Sequence, residues 1–268
     1  MNAESLAETI YDVRQRTLDL VADLTDAEML GPKLRIVNPP LWEIGHVGWF
    51  QEYWVLRNLR NLPSLRPDAD SLYDSMQVAH DTRWELILPS RGETLDYLCK
   101  VRDHVIEGLP RQVEGDERYF NLLSVFHEDM HCEAFTYTRQ THGYPAPVFS
   151  AARRPVLSDG GPLPGDAQIA GGTFQLGASS DESFVFDNEK WAHAVELKPY
   201  RIARAAVTQA EFASFVDDGG YRRDELWSEE GRPWRNEARA EHPVYWRNAG
   251  DGWERRHFDK WIPLEPHK

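Results

Sequence analysis

Only two of the 268 residues are cysteine, Cys99 and Cys132. A single pair cannot build a disulfide framework, and such sparing use fits a reducing cytoplasm. Basic residues are scarce as well: 30 Lys and Arg against 44 Asp and Glu leave a formal charge of −14. So acidic a surface repels phosphate backbones, which argues against nucleic acid or an anionic membrane as partner, although local arginines can still hold a small anion. No apolar run reaches the roughly 18 residues of a membrane span. The first turns carry Glu4, Glu8 and Asp12, not the basic start and apolar stretch of a signal peptide. With 41% hydrophobic and 12% aromatic residues, the chain can bury the core of one large domain or two ordinary ones.

Two unlike halves are expected, an α+β chain. Residues 1–145 read as four amphipathic helices, a four-helix bundle. Leu6, Ile10, Val13, Leu18, Leu20 and Val21 mark the first. Asn38-Pro39-Pro40 breaks the chain, and Pro40 suits a helix start, followed by the stripe Leu41, Ile44, Val47, Phe50 and Trp54. A third helix follows Ser90 and ends near Gly108 and Pro110, and a fourth runs from about Glu117 to Gln140. Residues 146–166, with Pro147, Pro155, Pro162 and Pro164 among Gly160, Gly161 and Gly165, have linker composition. From 167 to 268 the texture is strand, turn and Trp-rich loop. Strands are expected at Gly171–Gly177 and Val195–Ile202, and a short helix at Thr208–Val216 with Glu211 completing a capping box.

The histidines carry the chemistry. His127 and His131 are four apart on the fourth helix, so both imidazoles can face one ion. Alone, a helical His-x-x-x-His is slightly more often a polar seam than a metal site. Here Phe126 and Met130 place it near the core, where unpartnered imidazoles are costly. A third ligand is needed, and His46, on the apolar second helix between Gly45 and Gly48, is the favoured one. His80 and His104 compete for that place. The string His127-Glu128-x-x-His131 also matches a zinc-hydrolase motif with Glu128 as general base, or Glu128 orients a ligand histidine, as Glu133 could. Arg83 and Arg91, around the loop before the third helix, could clamp a carboxylate, against the plainer reading of solvated arginines. Cys132 points about 100° away from His131 and reads as a structural thiol. The Trp-rich tail could line a cavity, but such residues more often pack a loop-rich domain.

The chain resembles the iron-dependent sulfoxide synthases of ergothioneine biosynthesis and their relative, selenoneine synthase. The resemblance rests on Pro39-Pro40-Leu41-Trp42-Glu43-Ile44-Gly45-His46, Phe126 to Glu133, Gly171-Gly172-Thr173-Phe174, Phe186-Asp187-Asn188-Glu189, and Val207 to Tyr221. It implies a DinB-like bundle at 1–145 and, at 167–268, a domain like the formylglycine-generating (sulfatase-modifying) enzymes, of C-type-lectin-like fold and incomplete in this chain. It implies a facial Fe(II) site of His46, His127 and His131, with O2 as co-substrate. The reaction implied joins a selenosugar or a cysteine-type thiol to the imidazole C2 of hercynine, with oxidation at the chalcogen. Arg83 falls where the family holds the donor's carboxylate. Asp129 and Met130 replace the family's His-Gln, whose Gln helps hold hercynine. That departure makes Met130 a substrate-contact candidate and leans toward selenium. A zinc hydrolase, a non-catalytic metal- or thiol-binding bundle and a thiol transferase are the alternatives.

Overall fold

Leu6, Ile10, Val13, Thr17 and Leu20 share one face of a helix, and their burial fixes how that helix lies. In the computed structural model, which describes residues 1–150 and 163–268, this is α1, Ala3–Val21. A short α2, Asp26–Leu30, starts from a Thr25 capping box with Glu28. α3, Pro40–Gln51, begins at proline and continues as a π-helical stretch, Glu52–Leu59. α4, Ala69–Tyr73, is short; α5, Arg91–Glu107, begins at a Ser90–Glu93 capping box; α6, Gly115–His142, ends at Gly143, whose φ of 72° a side chain rarely adopts. The expected long helices are therefore present, with two short ones added.

α3 is buried on nearly every side, including Trp42, Glu43, Ile44, His46, Val47 and Trp49. Accordingly it packs against α2, α4, α5 and α6, while α1 lies on α5 and α6. Inside this core sits Arg14, with no exposed surface. Its Nε and Nη2 donate to the two oxygens of Glu128 at 2.8 and 3.0 Å. The remaining donors go to the Leu98 carbonyl at 2.6 Å and to Gln51 Oε1 at 2.9 Å, and Thr17 donates to Glu128 at 2.7 Å. Every charge in the network is thus partnered, the condition under which a buried ion pair is tolerated.

The chain divides into two compact units, Met1–Ala152 and Arg153–Lys268. Most of the expected linker, residues 151–162, lies outside the described residues. In the second unit β1, Asp166–Ile169, pairs antiparallel with β4, Tyr200–Ala203, and β2, Gly172–Leu176, with β3, His193–Leu197. The single strand expected over Val195–Ile202 is two strands serving two sheets. The break falls at Lys198-Pro199, where proline has no N–H to give a ladder. α7, Gln209–Asp217, carries the expected Thr208–Glu211 capping box. α8, Gly231–Ala238, precedes a three-stranded sheet of β5, Trp246–Asn248, β6, Trp253–His257, and β7, Lys260–Pro263. These last strands carry no periodic signal in the sequence, because half-exposed strands such as Trp253-Glu254-Arg255-Arg256 lack a clean apolar alternation. The tryptophans pack on neighbours, Trp246 with Trp253 and Trp227 with Trp234.

Arg14→Ala would leave Glu128 buried without its counter-charge and is expected to cost the first unit about 3–5 kcal/mol. Arg14→Met combined with Glu128→Leu should recover most of that loss. Denaturant unfolding followed by helical circular dichroism checks both; a cost under about 1 kcal/mol for the single variant would deny the pair its structural role.

Candidate metal centre

His46 comes from α3 and His127 and His131 from adjacent turns of α6. One ring nitrogen from each lies within 4.8 Å of those of the other two, and His46 is buried. The ring centroids are 4.5 to 5.1 Å apart. His46 Nδ1 donates to the main-chain oxygen of Tyr73 at 2.8 Å, and His131 Nδ1 to Glu43 Oε1 at 2.7 Å. Each bond places the proton on Nδ1 and leaves Nε2 with its lone pair. His127 stacks on Phe50 with centroids 3.6 Å apart and 7° between planes, and its Nδ1 is buried without a hydrogen-bond partner. Burial holds the His46 pKa down to about 3, helped by repulsion from the neighbouring His131 ring whenever that ring is protonated and opposed by the Tyr73 carbonyl. Burial likewise holds His127 well below the ordinary imidazole value, with His131 and His46 adding to the effect. Two neutral imidazoles with lone pairs aimed together, beside an orphaned ring nitrogen, fit a borderline divalent metal such as iron or zinc. His46, His127 and His131 would hold it.

Comparison with known proteins locates this bundle and the second unit. Residues 9–133 match the DinB superfamily, and residues 156–252 match the sulfatase-modifying factor enzyme 1-like domain. A hercynine oxygenase of Mycolicibacterium thermoresistibile is 32% identical over 272 residues, covering 97% of this chain and 59% of that protein. The hercynine oxygenase of Mycobacterium tuberculosis is 33% identical over 250 residues, covering 92% and 58%. The chain belongs to the ergothioneine-biosynthesis sulfoxide-synthase-like family. It spans about three-fifths of the length of these curated relatives. A formylglycine-generating enzyme of Streptomyces coelicolor matches over 60 residues at 38% identity, covering 22% of this chain and 19% of that protein.

Of the residues singled out from sequence in this family member, the three histidines come together and the others stand at different distances from them. Arg83 follows a 3-10 turn, His80–Thr82, and its guanidinium lies 3.8 Å above the Trp42 ring, which stacks on His46 at 4.9 Å. It donates to Asn38 Oδ1 at 2.6 Å and to the Val78 carbonyl at 3.3 Å, and its Nε is buried without a partner. Arg83 is therefore half-buried beside the cluster rather than solvated. Arg91 is spent elsewhere, on the carbonyls of Val21, Ala22 and Leu24 at the end of α1.

Met130 is 50% exposed, which corrects its placement in the core. It stands about 60° round α6 from His127, on the shoulder of the histidine face. Glu128, about 100° round from His127, faces Arg14 and Thr17 with both oxygens engaged, so it neither orients a ligand nor serves as a general base at the cluster. The zinc-hydrolase reading loses its base. Glu133 is exposed. His80 bonds the Val37 carbonyl and His104 is an exposed residue bonding Lys100, so neither competes for the third place. Cys132 lies 3.4 Å from Thr17 Oγ1, and burial pushes its thiol up to about 11, an inert state.

Sequence reasoning missed Glu43 and Tyr73. Glu43 had a signal, a carboxylate three residues before His46 on the same helical face. Tyr73 acts through its main chain, which no side-chain motif records. Its approach depends on Gly45, where a Cβ would stand 2.2 Å from the Tyr73 ring.

Gly45→Ala is therefore expected to push Tyr73 away, release His46 Nδ1 and cost about 1–3 kcal/mol by overpacking. Thermal unfolding with a divalent-metal titration checks this; unchanged stability and metal affinity would refute it. A pH dependence follows from the depressed imidazoles. The unfolded chain takes up protons below its histidine pKa near 6.5 while folded His46 and His127 do not, so stability falls as pH drops from about 6.5 toward 3. In chelator-treated protein the slope between about pH 6.5 and 5 should approach ~1.4 kcal/mol per pH unit for each histidine and shrink in His46→Phe, as read by denaturant titration at each pH.

Proposed function

We propose that this protein is a non-haem Fe(II), O2-dependent oxidoreductase, a selenoxide or sulfoxide synthase. It would form a carbon–selenium or carbon–sulfur bond at the imidazole C2 of hercynine. The observation that carries the reading is the convergence of His46, His127 and His131 in a chain similar over nearly its whole length to hercynine oxygenases. When bound, the ferrous ion supplies one-electron chemistry toward O2 and lowers the pKa of a thiol or selenol donor.

The protein's own residues divide the remaining work. Three neutral imidazoles hold the ion without cancelling its charge. Arg83, its Nε unpartnered beside Trp42, binds the carboxylate of a cysteine-type donor. Rings run on from His127 through Phe50 to Trp54, with centroids 6.2 Å apart, and to Phe120, 5.4 Å further. Such faces suit the trimethylammonium group of hercynine. Met130 offers a soft, apolar contact in place of the hydrogen bonds an amide would give the imidazole. That exchange favours selenium, in the form of a selenosugar, as the donor.

The test combines metal analysis with a product assay. Protein loaded anaerobically with Fe(II) is given hercynine, then air, with a selenosugar and a cysteine-type thiol offered separately and in competition. Mass spectrometry reads the adducts. An adduct with either donor, together with loss of iron in His46→Ala, supports the proposal, and preference for the selenosugar supports its selenium branch. Unchanged iron stoichiometry in His46→Ala overturns the three-histidine centre. Full iron with no adduct would make the bundle a metal-binding module.

A further inference from the structure

Glu43 is 1% exposed, and only one of its oxygens has a partner. A carboxylate in that position is costly unless it performs a task, because burial removes its hydration and one neutral N–H returns little of it. Its partner is His131 Nδ1, 2.7 Å away. Glu43 stands three residues before His46, so α3 presents a cluster histidine and this carboxylate from one face. His46 has its own acceptor in the Tyr73 carbonyl, and His127 is held by stacking on Phe50. His131, its side chain 16% exposed, has its Nδ1 bonded to Glu43, and among the described residues no other acceptor sets which nitrogen carries its proton.

We propose that Glu43 is a positioning residue for His131, fixing it as the Nδ1–H tautomer and presenting Nε2 to the centre formed with His46 and His127. Glu128, the acidic residue beside His127 in sequence, is unavailable for this because Arg14 and Thr17 hold both its oxygens. The orienting carboxylate therefore comes from the neighbouring helix rather than from within the histidine motif. This inference rests on the metal-centre reading for its purpose, although the tautomer itself does not depend on metal.

Two measurements decide it. The first is long-range nitrogen-15 NMR of the histidine rings in metal-free wild-type protein. His131 is expected with its proton on Nδ1, and an Nε2–H tautomer overturns the proposal without any variant being made. The second is Fe(II) affinity, measured by anaerobic titration in wild type, Glu43→Gln and Glu43→Leu. Gln keeps an oxygen acceptor and should retain the tautomer with a modest loss, whereas Leu should lose the tautomer and bind roughly 10–100-fold more weakly. Affinity of Glu43→Leu within about twofold of wild type would overturn the positioning role. Should wild type bind no Fe(II), the metal-centre reading falls, while the NMR experiment still decides what Glu43 does to His131.

Discussion

A guanidinium with no exposed surface lies in the middle of the apolar face of α1, and the arrangement of the bundle follows from how it is satisfied. Among the described residues Glu128 is the only carboxylate bonded to Arg14, and Leu98 and Gln51 take its other donors. These partners come from α6, α5 and α3, so one side chain ties α1 to every other long helix of the unit. Because the donors of a guanidinium form a rigid fork, the network restricts rotation of α6 about its axis as well as its distance from α1. An apolar substitute could match the stability of such a pair but not its directional demand.

The azimuth of α6 matters because its faces do different things. Glu128 sits about 100° from His127, and His131 returns to within about 40° of it. Turning Glu128 toward Arg14 therefore turns the two histidines toward α3. Had Glu128 faced the cluster, the same sequence string would have described a hydrolytic site. The motif is identical in the two cases, and the difference is made by Arg14, more than a hundred residues earlier in the chain.

This explains which parts of the molecule were legible in the sequence. Local signals held: Pro40 opening α3, the capping boxes at Ser90 and Thr208, and the four-residue spacing of His127 and His131 are decided within one or two helical turns. The resemblance to ergothioneine-pathway enzymes pointed to the family. What escaped depends on distant partners. The buried Arg14, the diversion of Glu128 and the recruitment of Glu43 each require knowing which helix lies opposite. Met130 looked interior because it is itself apolar and lies between His127 and His131, yet its place round the helix carries it to solvent. Pro199 was visible, but that it separates strands of two different sheets is a fact of topology.

α3 shows how far this interdependence goes. A helix buried all round would ordinarily be apolar all round, yet this one and its π-helical extension carry Glu43, His46, Gln51 and Glu52. Each has a specific partner: His131, the Tyr73 carbonyl, Arg14, and, for Glu52, Ser64 with the Leu65 amide and the Tyr97 hydroxyl. These bonds hold α3 in register with α1, α4, α5 and α6 at once. Two of the three histidines consequently have their ring orientation set by protein acceptors, and the third by a stacked phenylalanine, before any ligand arrives. A site assembled this way pays its ordering cost during folding, so an ion entering it loses little affinity to rearrangement. The cost appears instead as sensitivity, since a change at Gly45 or Tyr73 that barely alters composition would reach His46 through a main-chain carbonyl.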